Sequence, residues 1–131
     1  MENGNTALAR STYEAFGRGD VAAVISAMAS DIELNVPQVL PQGGKAKGHE
    51  EVGQFFERLA AKWQDFGIEV EALVESGDRV VAIGRAQGKL DGVETGYGFV
   101  HSWTVRDGAL ARLDEYVDPA PELLSRQTES G

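Results

Sequence analysis

The chain has 131 residues, a hydrophobic content of 42% and a charged content of 25%, values ordinary for one globular domain with its own core. Its formal net charge of −9 argues against nucleic acid or an anionic membrane as the main partner, because both demand a basic surface. The absence of cysteine excludes disulfides, thiolate catalysis and sulfur-ligated metals, and with only His49 and His101 a multi-histidine metal site is not expected.

In chain order, the pattern from Thr6 to Phe16 predicts a helix that stops at the Gly17-Arg18-Gly19 break. Asp20 then caps a second helix, with Val21, Val24, Ile25 and Met28 at i, i+3, i+4 and i+7. A short strand from Ile32 to Val36 precedes a loop from Pro37 to Gly48, whose two prolines and three glycines suit a lid or pocket rim. The third helix carries an apolar stripe of Val52, Phe55, Phe56, Leu59, Ala60 and Trp63, opposite Glu51, Glu57, Arg58 and Lys62. Strands Ile68 to Glu75 and Arg79 to Gln87 follow, joined by a Ser76-Gly77-Asp78 turn. Helices first and strands second predict an α+β fold with the helices on one face of a curved antiparallel sheet. A single domain over residues 1–124 is expected, with a polar, disordered tail over 125–131. No apolar run reaches membrane-spanning length and the N-terminus lacks a leader pattern, so a cytoplasmic protein is expected.

The most informative segment runs from Tyr97 to Asp118 and predicts a hairpin about Arg106-Asp107-Gly108. A three-residue turn sets Val105 opposite Ala109, Trp103 opposite Ala111, His101 opposite Leu113 and Phe99 opposite Glu115. One face then carries Phe99, His101, Trp103 and Val105 beside Ala111, Leu113, Glu115 and Val117. That face is apolar except for His101 and Glu115, which become diagonal neighbours able to interact directly or through one water. Gly84 lies mid-strand and Gly96 and Gly98 flank Tyr97, gaps that suit either strong bending or room for a ligand.

The runs YEAFGRGDVAAVISAMASDIEL, GHEEVGQFFERLA, ESGDRVVAIGRAQG and VHSWTVRDGALARLDEYVD, in this order, resemble the SnoaL-like polyketide cyclase group of the nuclear-transport-factor-like, ketosteroid-isomerase-like superfamily. The resemblance spans nearly the whole chain. It implies a cone-shaped α+β barrel in which a bent sheet wraps three helices around an apolar cavity, and a homodimer packed through the outer sheet face. It also implies a histidine on the penultimate strand and an acid on the last strand, fourteen positions apart and facing the cavity. His101 and Glu115 have that spacing, with Glu where the cyclases have Asp. Tyr13 falls near the place from which a helix tyrosine reaches related cavities. The ketosteroid-isomerase base and acid positions fall at Val36 and near Gly98, so both groups are missing, which argues against that route. Asn35, Arg85 and Glu115 fall at positions of the limonene-type epoxide hydrolase set, but Gln87 replaces one of its acids.

A carboxylate in an apolar cavity is a poorly solvated base, suited to removing a proton beside a carbonyl, while an imidazole or phenol stabilises the enolate. The expected catalytic residues are Glu115 as base, His101 as its partner or proton donor, and Tyr13 as oxyanion donor. Asn35, Phe56, Trp63, Arg85, Phe99, Trp103, Leu113 and Val117 are the expected substrate contacts. The expected activity is aldol cyclisation or isomerisation of a small hydrophobic carbonyl compound, with no metal and no cofactor. Epoxide hydrolysis or non-catalytic binding of a hydrophobic ligand are the alternatives. A buried His–Glu pair can equally be a structural device that fixes strand register.

Overall fold

The computed structural model describes residues 4–119; the expected tail lies outside the described residues. Helices α1 (Gly4–Gly17) and α2 (Val21–Ser26) come first, then strands β1 (Met28–Val36) and β2 (Gly44–Lys47), helix α3 (Gly48–Lys62), and strands β3 (Trp63–Ser76), β4 (Arg79–Leu90), β5 (Val93–Arg106) and β6 (Ala109–Pro119). The six strands form one curved, unclosed sheet in the order β2-β1-β6-β5-β4-β3. The α+β cone expected from the sequence is therefore the observed fold. The sheet is mixed rather than purely antiparallel, because β1 runs parallel to β6.

Local chemistry explains where the elements begin and end. Asp20 accepts a hydrogen bond from the Ala23 amide at 3.1 Å and caps α2 as read from the sequence. Met28 leaves the helix to open β1, since its side chain is buried in the strand-to-helix core rather than on a last helical turn. Strand β2 lies inside the predicted loop and pairs with β1 from Glu33↔Lys47 to Val36↔Gly44. Along α3 the stripe of Val52, Phe55 and Leu59 is buried and Phe56 is half-buried, whereas Ala60 is exposed and Trp63 already belongs to β3. Helix α1 is anchored by a long-range contact: the Thr6 amide and hydroxyl both donate to Glu75 Oε1, at 2.9 and 2.7 Å. That bond satisfies donors at the helix N-terminus and fixes the helix that carries Tyr13.

The hairpin differs from the sequence expectation in its turn but not in its faces. Arg106 pairs with Ala109 around a two-residue Asp107-Gly108 turn, with φ of 51° and 75°, the doubly left-handed geometry whose twist matches its strands. A bulge then leaves Ala111 unpaired between Val105↔Leu110 and Thr104↔Arg112. The bulge restores the alternation that a bare two-residue turn would have inverted. His101 accordingly sits directly opposite Glu115, not diagonal to it, and Phe99 faces Val117 and Trp103 faces Leu113.

Gly84 shows what the sheet's curvature requires. It pairs with Val70 beside a register shift in β3 and with Phe99 on β5. A Cβ at this position would lie 2.2 Å from the Glu69 carbonyl oxygen and 2.8 Å from Phe99 Cζ. The gap is therefore filled by backbone and an aromatic ring, and it serves close approach of strands rather than a ligand. Gly84→Ala is expected to destabilise the fold by about 1–3 kcal/mol through overpacking, read as a lower midpoint in chemical denaturation with an unchanged slope.

Candidate functional site

The helices and the inner sheet face line a cavity of about 90 Å³ that is open on one side. Its apolar lining includes Phe16 and Phe56 from the helices, Phe66 and Ile68 from β3, and Phe99, Trp103 and Leu113 from the hairpin. The aromatic rings brace one another: Phe16 packs at 6.0 Å from Phe56 and 6.2 Å from Phe66, and Phe55 meets Phe56 edge-on at 5.3 Å between centroids. Five polar side chains besides Thr12 enter this wall: Tyr13, Gln42, Tyr97, His101 and Glu115.

Four residues form a directional chain. Trp103 Nε1 donates to Tyr13 Oη at 2.8 Å, Tyr13 Oη lies 2.6 Å from His101 Nδ1, and His101 Nε2 lies 3.3 Å from Glu115 Oε2. An indole nitrogen can only donate, so the phenol accepts from Trp103, and in the tautomer with Nδ1 bare it donates its own proton to the imidazole. With its hydrogen on Nε2, the imidazole accepts from Tyr13 and turns that N–H side toward the Glu115 carboxylate. The Phe99 ring stacks on the imidazole at 4.1 Å and holds its plane. The His101 and Glu115 side chains are only 12% and 7% exposed, which places the pair in a weakly screened setting. Burial pushes the Tyr13 phenol far above the ordinary tyrosine range; the Glu115 charge adds to this and the Trp103 hydrogen bond opposes it. Tyr13 thus remains a donor at any working pH.

A second polar group faces the first. Gln42 comes from the connection between β1 and β2 and is 2% exposed. Its carbonyl accepts from Trp63 Nε1 at 2.9 Å, and its amide donates to Tyr97 Oη at 3.3 Å. Burial, and next the charge of Glu115, hold the Tyr97 phenol well above its usual range, against the smaller opposing effect of Gln42.

These positions sort the residues singled out in the sequence. Tyr13, Phe56, Phe99, His101, Trp103, Leu113 and Glu115 meet at the cavity. Asn35 does not, because Ile32, Leu34 and Val36 take the inward positions of β1 and turn Asn35 outward, where it donates to Asp114 Oδ1 at 3.0 Å. Arg85 is exposed on the outer face, since Ala82, Gly84 and Ala86 are the buried residues of β4. The epoxide hydrolase set is therefore not assembled. Trp63 stands behind Gln42 and packs against Phe66 and Tyr97 rather than on the cavity surface. Val117 is half-buried against the core beyond Glu115. Tyr13 spends its proton on His101, which makes it a member of the chain more than a free oxyanion donor.

Elsewhere the ionic chemistry is superficial. Arg112 bridges Glu33 and Asp114 on the outer face, and its hydrogen bond holds the Asp114 carboxyl below the usual carboxylate range despite some burial. His49 Nε2 lies 2.9 Å from the Met28 carbonyl, joining α3 to β1. Among the described residues no cluster of three or more His, Asp or Glu side chains is placed to hold a metal. No helix among them is long and apolar enough to cross a membrane.

The model of the SnoaL-like domain matches residues 9–113. The chain belongs to this family. No curated protein sequence matches it. Among solved structures it is similar to an NTF2-like protein of unknown function from Burkholderia pseudomallei, at 27% identity over 89% of this chain and 92% of that one, with a TM-score of 0.84. It is also similar to TerC, co-crystallised with polyporic acid, at 26% identity over 98% of this chain and 100% of that one, with a TM-score of 0.83. A protein provisionally described as a polyketide cyclase, from Sinorhizobium meliloti, shares 17% identity over 84% and 94% of the two chains at a TM-score of 0.69, which speaks to the fold alone. The fold and family read from the sequence are thereby established.

Sequence reasoning missed Tyr97 and Gln42. Tyr97 was within reach, because it continues the inward series Phe99, His101 and Trp103 by two residues. Nothing in the proline- and glycine-rich run around Gln42 announces a buried amide.

Proposed function

We propose that this SnoaL-like domain abstracts a proton next to the carbonyl of a compact hydrophobic compound, as the first step of an aldol cyclisation or an isomerisation. The observation that carries the reading is the Glu115 carboxylate on an apolar wall, with Oε2 at 3.3 Å from the His101 end of the Trp103–Tyr13–His101 chain. The carboxylate takes the α-proton, the C–H electron pair becomes the enolate double bond, and the carbonyl π pair moves onto oxygen. His101 then lies close enough to return a proton from Nε2 or to share the one taken by Glu115. The resting cavity of about 90 Å³ is below the roughly 150 Å³ of an apolar cavity that holds benzene. Ligands near one ring in size fit this reading best, with modest displacement of the walls. The similarity to TerC, a protein crystallised with polyporic acid, agrees with a small organic ligand.

The test is deuterium incorporation from heavy water into cyclohex-2-enone, followed by mass spectrometry. The reading predicts exchange well above the buffer rate, saturating with ketone concentration. Exchange at the buffer rate while the ketone binds in the cavity would favour the competing reading, non-catalytic ligand binding.

The second proposed partner is another copy of the chain. Ala72, Ile83, Val100 and Tyr116 align across β3, β4, β5 and β6 on the outer face, with Ile83 42% and Tyr116 62% exposed. A contiguous apolar row on a sheet is a surface that association would cover. Tyr116→Glu is expected to convert a dimer into a monomer in sedimentation experiments; a wild-type chain that is monomeric at high concentration refutes the proposal.

A further inference from the structure

Tyr97 is a second phenol in the cavity, and its position differs from that of Tyr13 in one chemical respect. The Tyr13 hydroxyl accepts from Trp103 and donates to His101, so both of its functions are in use. The Tyr97 hydroxyl accepts from the Gln42 amide at 3.3 Å, and among the described residues its own hydrogen has no acceptor. Tyr97 is 3% exposed and lines the cavity, so the acceptor for its hydrogen is whatever molecule occupies the cavity. A buried donor without an acceptor is costly unless something else accepts from it, typically about 1–3 kcal/mol. The amide that orients this phenol is itself fixed, because the Gln42 carbonyl is held by Trp63 Nε1. Each bond in the series Trp63 to Gln42 to Tyr97 polarises the next and sharpens the last donor.

We infer that Tyr97 is the residue that donates to the ligand's carbonyl oxygen, with Gln42 and Trp63 as positioning residues. The inference rests on the proposed carbonyl chemistry and adds the group that receives the developing oxyanion. Proton removal at Glu115 moves negative charge onto the ligand oxygen, and a fixed phenol on the same wall system meets it without reorganisation. No proton leaves Tyr97 in this step: the phenol strengthens an existing hydrogen bond as the carbonyl becomes an enolate.

The same geometry assigns a role to the connection over residues 37–43. Gly43 has no room for a side chain, since a Cβ would lie 2.1 Å from the Pro37 carbonyl oxygen. The turn closes with Leu40 N to Pro37 O at 3.1 Å and Gly43 N to Leu40 O at 2.8 Å. This tight wrap delivers Gln42 to Tyr97, so the connection tunes the donor it covers.

The experiment is the infrared carbonyl stretch of cyclohex-2-enone bound to the full-length protein. In wild type the bound stretch should fall below that of the ketone in hexane, and Tyr97→Phe should return it toward the hexane position while the ketone still binds. Deuterium exchange in that variant should slow by about 10²–10³-fold. Fluorotyrosine at position 97, a stronger acid, should lower the stretch further, and it tests the assignment even if the Phe variant folds poorly. An identical stretch in wild type, Tyr97→Phe and the fluorotyrosine protein would overturn the role of Tyr97 and leave the Glu115 reading standing. Failure of the ketone to bind the wild-type cavity would overturn both.

Discussion

Glu115→Gln is expected to slow α-proton exchange by about 10²–10⁴-fold, the usual contribution of a positioned general base. The amide is close in shape to the carboxylate, so it can still face His101 Nε2 across the pairing of β5 with β6. Its oxygen can accept from the imidazole, which leaves the Trp103–Tyr13–His101 chain intact. What it lacks is basicity. Ketone affinity should therefore change only a few-fold while the exchange rate collapses, and equilibrium binding measured beside exchange separates the two. Retention of the full exchange rate in Glu115→Gln would remove Glu115 from the chemistry. The competing view, that the pair only fixes strand register, predicts a change in folding stability with no exchange activity to lose in either protein.

Tyr13→Phe is the second large effect, and it is a stability effect first. The substitution strands Trp103 Nε1–H without its acceptor and His101 Nδ1 without its donor, at 2.8 and 2.6 Å from a hydroxyl that is no longer there. Each stranded buried group costs about 1–3 kcal/mol, a large share of the stability of a domain this small. The ring itself remains, so the edge-on packing on Trp103 is retained and the loss is polar. Pairing Tyr13→Phe with Trp103→Phe should recover part of that loss, since the second change removes the stranded donor, with a coupling of about 0.5–3 kcal/mol in a double-mutant cycle. Strictly additive losses in denaturant melts would show that Trp103 and Tyr13 are not energetically linked. Tyr13→Phe should also free His101 to take its other tautomer, weakening its hold on Glu115.

The reach of the sequence followed the range of the interaction involved. Helix α3 and the capped start of α2 were legible because their signals lie within a few residues: the stripe of Val52, Phe55 and Leu59, and Asp20 beside Ala23. The faces of the β5–β6 hairpin were legible because side-chain alternation is a parity, and a two-residue turn with one bulge has the same parity as the expected three-residue turn. The exact partner of His101 was not, since a bulge at Ala111 shifts pairing without altering the pattern. Arg85 and Asn35 were placed in the pocket by resemblance, yet local alternation already opposed it: Ala82, Gly84 and Ala86 inside β4 and Leu34 and Val36 inside β1 leave those two residues outside. Gln42 was out of reach because its two partners, Trp63 and Tyr97, are 21 and 55 positions away. The parallel pairing of β1 with β6 was hidden for the same reason, since Leu34 and its partner Leu113 are 79 positions apart.

Chemistry and scaffold are linked through α1. The Glu75 bond to Thr6 fixes that helix, the helix carries Tyr13, and Tyr13 is hydrogen-bonded to the histidine that faces Glu115. On the proposed chemistry, a base in this position needs little rearrangement when a ligand enters, which is the property that fixed polar groups contribute to catalysis.

The measurement that tests the central claim most directly is a crystal structure of the wild-type protein with cyclohex-2-enone. The account predicts the ring inside the cavity between Phe56 and Phe99, a proton-bearing carbon next to the carbonyl against the Glu115 carboxylate, and the ketone oxygen on the Tyr97 hydroxyl. A ketone found only on the outer surface, with the interior closed and Glu115 still sealed against His101, would contradict it.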